Sequence, residues 1–434
     1  MVSFYQISGK GDVRLPETWE LLQTLFKEEQ KERRPLEELI EGALRKPVGS
    51  ESLEGILRPG VKVAIVVDDL TRPTPIKRLL PSLLSRIGEA GIPRENVDLV
   101  IGVGTHRPLT EEEIRNRCGE EIATKYRIRN HDARSTDLVK VGEVPGYGAV
   151  RMNATVVRAD VKIAVGSILP HPHNGFGGGP KNVMPGICDF ETIRRHHLKN
   201  VVDPRSILGR IEDNPFYADC RKIAELAGIQ FSIQCLYDSM GNIYEVLAGD
   251  PFEVHTIGID KSKEALGINV SKKADVTLVS SYPYAEGPQI VKPVLPAAMI
   301  TRPGGTILLV AEVQTPLPSF FLDCATKIRE MGGEEAERTI IEKLHRLEPI
   351  LEGPMDFNMA MVLIFFASKK YRIVLVSNRI LAEAAARMGF EYASDLSVAI
   401  ERERLRRERT TVNVIPAGGY VFPLIEERFQ LIAG

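Results

Sequence analysis

Cysteine is scarce and scattered in this chain. The five thiols, Cys118, Cys188, Cys220, Cys235 and Cys324, are odd in number and form no C-x-x-C pair. That pattern argues against a disulfide framework and a structural zinc site, and it fits a reducing compartment. Neither sign of charge dominates: 56 Lys and Arg face 58 Asp and Glu, for a formal net charge of −2. A nucleic acid or an anionic membrane is therefore not an expected partner. Long apolar runs are lacking too. The most apolar window, 359–367, is too short to span a bilayer, and the first residues do not read as a secretory signal. No internal repeat and no low-complexity segment occurs. These absences leave a cytoplasmic globular protein as the expectation.

What is present is 434 residues, 43% of them hydrophobic, which exceeds the size at which a single core stops growing. The first half alternates short apolar strands (62–68, 97–103, 161–168) with amphipathic helices (75–90, and one opening at Thr110). A second alternating series starts at 274–281. It continues through 304–311, helices 320–331 and 334–347, strand 372–377, helices 381–388 and 394–409, and strand 411–416. Alternation of this kind predicts an α/β protein of two domains, each with a largely parallel sheet flanked by helices. The polar stretch 258–270 reads as the join and a candidate hinge. It divides the chain into 1–268 and 269–416, and the Gly418-Gly419 turn lets 417–434 return to the first domain.

In such folds, ligand sites gather at the carboxyl ends of the strands. Three polar motifs sit there: Asp68-Asp69-Leu70-Thr71-Arg72-Pro73, Gly104-Thr105-His106-Arg107-Pro108, and His171-Pro172-His173. The third runs on through Gly175, Gly177, Gly178, Gly179 and Pro180 to Lys181, with His196 and His197 shortly beyond. Imidazoles, glycines and an amine brought to one edge suit an anionic, metal-bearing or carbonyl-like ligand. The spacing matches neither a phosphate-binding P-loop nor a dinucleotide fingerprint. Each piece also has a plainer reading. Asp69 and Arg72 could pair to stiffen their turn, Lys181 could be a solvated loop lysine, and Gln289-Ile-Val-Lys292 could be a helix start. His131, beside Asn130 and Asp132, suits a turn.

Taken in order, Asp69-x-x-Arg72-Pro, Gly104-Thr-His106-Arg-Pro, His171 through Lys181, Met184-Pro-Gly186, Thr192 to His197 and Gln289-x-x-Lys292 resemble the nickel-pincer lactate racemase family. The resemblance runs along most of the chain. It implies an active site in the cleft between two domains and an isomerase that inverts Cα of a 2-hydroxy acid by reversible hydride transfer. It also implies a nickel-pincer nucleotide, a pyridinium-3,5-bisthiocarboxylic acid mononucleotide carrying nickel, made by other proteins that become partners of this one. Carried over by motif, Lys181 tethers the cofactor and His197 ligates nickel. His106 and His171 form the acid/base pair, while Arg72, Gln289 and Lys292 hold the substrate carboxylate. Asp69 supports the cofactor or Arg72, and Gly177, Gly178 and Gly179 let backbone approach the cofactor. His173 and His196 receive no role beyond structure.

This chain departs from the family's lactate-specific members near the substrate. Pro288 stands where an aromatic is expected before Gln289, and the sole tryptophan, Trp19, is far from every motif. Phe357 is a loose substitute for the second aromatic. The expected substrate is a lactate-like or larger 2-hydroxy acid, with the missing aromatics favouring the larger. Two other readings compete. One is a zinc hydrolase using His171, His173 and His197, and the other is a non-catalytic binder of a carboxylate or nucleotide phosphate.

Overall fold

The computed structural model describes residues 1–27, 34–426 and 429–432. Two six-stranded sheets organise them. The first runs in the order Ile243–Gly249, Phe231–Tyr237, Val161–Ser167, Val63–Asp68, Val97–Gly102, Arg127–Asn130. Every neighbouring pair is parallel except the first, which is an antiparallel hairpin. Strand Val63–Asp68 is paired on one side with Val97–Gly102 and on the other with Val161–Ser167. The chain therefore reverses its direction of travel across the sheet beside this strand, where a crevice opens at the carboxyl ends. The central strands are buried on both faces, which is why they read as unbroken apolar runs rather than alternating ones.

The flanking helices follow from their apolar spacing. Helix Ile76–Glu89 buries Ile76, Leu79, Leu80, Leu83, Leu84 and Ile87. Helix Glu111–Cys118 starts at a reciprocal cap between Thr110 and Glu113.

The second sheet is wholly parallel: Glu391–Ala393, Arg372–Val376, Thr301–Val310, Ala274–Ser280, Thr410–Ile415, Trp19–Thr24. Its last strand comes from the N-terminal region. Val2, Phe4 and Trp19 share a core with Val276, Leu278 and Leu308 of this sheet. Near the other end of the chain, Phe422–Leu424 pairs in parallel with Gly267–Asn269. Among the described residues no helix is long and apolar enough to cross a membrane.

Residues 258–266, expected in the join, are instead the second half of a sixteen-residue helix, Pro251–Leu266. Asp250 caps it by accepting from the Phe252 and Glu253 amides, and Pro251 opens the first turn. Val254, His255, Gly258, Ile259, Ser262 and Leu266 are its buried face, so the lysines that made the stretch look like a linker lie on its other face. A Cβ on Gly258 would stand 2.2 Å from Cδ1 of Ile168, so the glycine lets this helix lie directly against the strand end that leads to His171.

Candidate active site

Three loops leaving the first sheet converge. The loop after Val63–Asp68 carries Asp69 and Arg72, the one after Val97–Gly102 carries His106, and the one after Val161–Ser167 carries His171 and Lys181. Helix Phe190–Asn200 adds His197, and residues 288–292 and helix Met355–Lys370 close the other side. One pocket is lined by Arg72, His106, His171, Lys181, His197, Gln289, Lys292 and Asp356, with Met359, Ala360 and Leu363 as part of its apolar wall.

His106 is held from both sides of its ring. Nδ1 lies 2.6 Å from Oδ2 of Asp69, and Nε2 lies 3.7 Å from Oδ2 of Asp356. Burial alone would lower the His106 pKa, but the Asp356 and Asp69 carboxylates outweigh it and raise it. Burial would likewise raise Asp69. The His106 ring and the Arg72 guanidinium reverse that and hold its carboxyl well below the usual range. Asp69 Oδ1 also accepts from the Thr71 amide and hydroxyl. The Asp69–Arg72 ion pair considered from the sequence is absent, because the Arg72 guanidinium donates to Thr71 instead. Asp69 is bonded to His106, one residue of the expected acid/base pair.

His171 shows the opposite tendency. Burial lowers its pKa far below the ordinary value, and the nearby Lys181, Lys292 and Arg72 charges add to the effect. Its Nδ1 accepts the backbone amides of Asn174 at 3.1 Å and His173 at 3.3 Å, so the neutral ring carries its proton on Nε2. One ring is thus driven towards imidazolium and the other towards the neutral form.

Lys181 is only 8% exposed and has no carboxylate partner among the described residues. Burial lowers its pKa to about 8. The solvated-lysine alternative is therefore wrong for this residue, whose ammonium lies 5.6 Å from the Phe216 ring centroid. Phe216 was not singled out in the sequence, yet His196, His197 and His173 also meet its ring, at 4.4, 5.1 and 5.8 Å between centroids. The glycines before Lys181 divide in their roles. Gly178 and Gly179 have φ of 72° and 48°, and a Cβ would stand 2.6 Å from the Ser167 carbonyl oxygen and 2.5 Å from His255, respectively. Those two let the loop lie flat on its neighbours, whereas a Cβ on Gly177 meets nothing nearer than 3.6 Å.

The donor set fits the cofactor that the sequence resemblance implies. His197 Nδ1 donates to the Ile193 carbonyl at 2.9 Å, which leaves Nε2 free of that bond and able to ligate a metal. Burial, with His196 and Lys181 beside it, pushes its pKa well below the ordinary value, which favours the neutral ring that a metal would require. Among the described residues, no cluster of three or more His, Cys, Asp or Glu could hold a metal ion by itself. Among the described residues, His171, His173 and His197 do not come together as a three-ligand site. His171 gives Nδ1 to backbone amides, and His173 stacks on Phe216. A single protein ligand suits a metal that arrives with its other donors attached.

His196 donates Nε2–H to the Phe216 carbonyl, and His131 bonds the Cys188 carbonyl, so both are packing histidines. Phe357, the expected replacement aromatic, stacks on Phe320 at 5.4 Å and does not line the pocket. Its neighbour Asp356 does, held there because the Thr105 hydroxyl accepts the Met355 amide at 3.0 Å.

Residues 8–209 match the family profile of the lactate racemase N-terminal domain. Over this stretch the chain is similar to the lactate racemases. It is 30% identical over 281 residues to the lactate racemase of Thermoanaerobacterium thermosaccharolyticum, which covers 64% of this chain and 66% of that protein. The lactate racemase of Lactiplantibacillus plantarum is 31% identical over 279 residues, covering 63% and 66%. The aligned stretches thus span just under two thirds of these lactate racemases. The structure of the T. thermosaccharolyticum lactate racemase apoprotein superposes with a TM-score of 0.85 at 25% identity, over 98% of this chain and 100% of that one. A Thermotoga maritima protein shares the fold, with a TM-score of 0.68 at 17% identity.

Proposed function

We propose that this chain is a 2-hydroxy acid racemase or epimerase, and that its pocket is the cleft between one unit ending near residue 268 and another beginning there. The carrying observation is that His106 and His171 line one pocket while their surroundings drive them to opposite protonation states. Inverting a carbon that bears a hydroxyl requires one group to take the hydroxyl proton and another to give one back on the opposite side, so an acid and a base must coexist. A non-catalytic binder has no use for that opposition.

Lys181 would tether the nickel-pincer nucleotide and His197 would ligate its nickel. When bound, that cofactor supplies the electrophile to which Cα passes hydride and from which hydride returns. The chain's own residues do the rest. Arg72 and Lys292 hold the substrate carboxylate, with Gln289 beside them, and keep the planar keto acid in place while its carbonyl reorients. His106 exchanges the hydroxyl proton through Nε2 while Nδ1–H remains on Asp69. His171 exchanges it on the other side, and its lone pair reaches the pocket only after the ring releases the two backbone amides. The partners implied are proteins that make the cofactor, together with a small 2-hydroxy acid.

The test is chiral chromatography of single enantiomers incubated with protein co-expressed with a cofactor-making pathway. The reading expects both enantiomers to interconvert, and His106→Ala to abolish turnover while the cofactor stays attached. Unimpaired turnover in His106→Ala would overturn it.

A further inference from the structure

Asp356 and Gln289 form a matched pair of acceptors with nothing to accept. The Gln289 amide nitrogen donates to Asp356 Oδ2 at 2.7 Å. A carboxylate only accepts from an amide, so this bond fixes the orientation of the Gln289 side chain and points its oxygen elsewhere. Gln289 Oε1 and Asp356 Oδ1 are both buried and both lack a hydrogen-bond donor. Acceptors left in that state bear an uncompensated desolvation cost, so a ligand that supplies donors is favoured over one that does not. His106 Nε2 lies 3.7 Å from Asp356 Oδ2, the oxygen that Gln289 already occupies, and beyond hydrogen-bond reach.

Resting on the racemase reading of this pocket, we infer that Asp356 and Gln289 select 2-hydroxy acids carrying a further hydroxyl on the carbon beyond the reacting one. Glycerate-like and aldonate-like acids belong to this class. A lactate methyl offers the two oxygens nothing. A second carboxylate, as in malate, brings only lone pairs and a like charge towards Asp356. A 3-ammonium group could donate, but Arg72, Lys181 and Lys292 line the same pocket and disfavour another cation. A hydroxyl donates without charge. Asp356 is also fixed in position, because Thr105 ties the start of its helix to the turn that carries His106.

Equilibrium binding of D- and L-glycerate, lactate, 2-hydroxybutyrate and malate to the full-length apoprotein tests this directly. It is measured by titration calorimetry on wild type, Asp356→Val and Asp356→Asn. The expected result is glycerate at least about tenfold tighter than lactate, with malate weakest. In Asp356→Val that preference should fall below about threefold. Asp356→Asn keeps the side chain's size, and should also weaken the preference if the valine variant fails to fold. Lactate or malate binding as tightly as glycerate, or a preference that survives in both variants, would overturn the inference. Cofactor-loaded enzyme separates this from the parent reading. Interconversion of lactate but not glycerate enantiomers sinks the selectivity alone, whereas inversion of neither, with cofactor attached, sinks the racemase reading and leaves selectivity to the binding isotherms.

Discussion

Asp69 Oδ2 stands 2.6 Å from Nδ1 of His106, so the ring's other nitrogen faces the pocket. This is the arrangement by which a carboxylate fixes a histidine's tautomer and stabilises its protonated form. It also raises the His106 pKa, with Asp356 contributing from the other side.

The pH dependence follows in sign. On the racemase reading, turnover needs the histidine pair singly protonated, so kcat/KM should be bell-shaped in pH for both enantiomers. The alkaline limb marks loss of the His106 proton. Asp69→Asn removes a charge that favours imidazolium, so that limb should move to lower pH, and kcat should fall by about 10²–10⁴-fold. An unmoved alkaline limb would show that His106 does not set it.

Lys181, with its pKa lowered to about 8, is a substantially free amine under mildly alkaline conditions. Attachment of cofactor to the apoprotein should therefore accelerate with pH and level off slightly above 8, well short of the range of an ordinary lysine. Timed mass spectrometry across pH reads this out. A rate still climbing past pH ~10 would mean that burial does not tune this amine.

Lys292 and Arg72 are assigned to the substrate carboxylate. Lys292→Met should raise KM by about 10- to 100-fold for every 2-hydroxy acid tested, because the carboxylate is common to all of them. Arg72→Lys should also impair binding, since an ammonium cannot reproduce a bidentate grip. An effect confined to one substrate would move Lys292 from the carboxylate to the substrate's variable end.

The glycine loop separates into positions that tolerate a side chain and positions that do not. Gly178→Ala forces a Cβ against the Ser167 carbonyl at a φ of 72° and should destabilise the fold by about 2–4 kcal/mol in denaturant unfolding. Gly177→Ala, with nothing nearer than 3.6 Å, should cost less than about 1 kcal/mol. Equal effects would refute the packing explanation.

Much of the first sheet was legible because parallel strands buried on both faces leave unbroken apolar runs, as in Val63–Asp68 and Val161–Ser167. Polar residues directly after those runs had to fall on one edge, which is how the sequence alone groups Asp69, His106 and His171. The partner of Asp69 was not legible: Arg72 is three residues away, whereas His106 becomes adjacent only through the pairing of two strands. Phe216 gave no signal either, since one phenylalanine in an amphipathic helix looks like ordinary core. Asp356 was hidden by its place in a first helical turn, where an acidic residue is expected for electrostatic reasons alone. The 258–266 stretch misled because lysines on the outer face of a helix look, in composition, like a linker.

The central claim is that Lys181 holds a nickel-pincer nucleotide in reach of His106 and His171. Intact-mass measurement and peptide mapping of protein co-expressed with a cofactor-making pathway test it most directly. The account predicts a nucleotide-sized increment on the Lys181 peptide that disappears in Lys181→Ala. An unmodified Lys181, in conditions where a lactate racemase prepared in parallel is loaded, would contradict it.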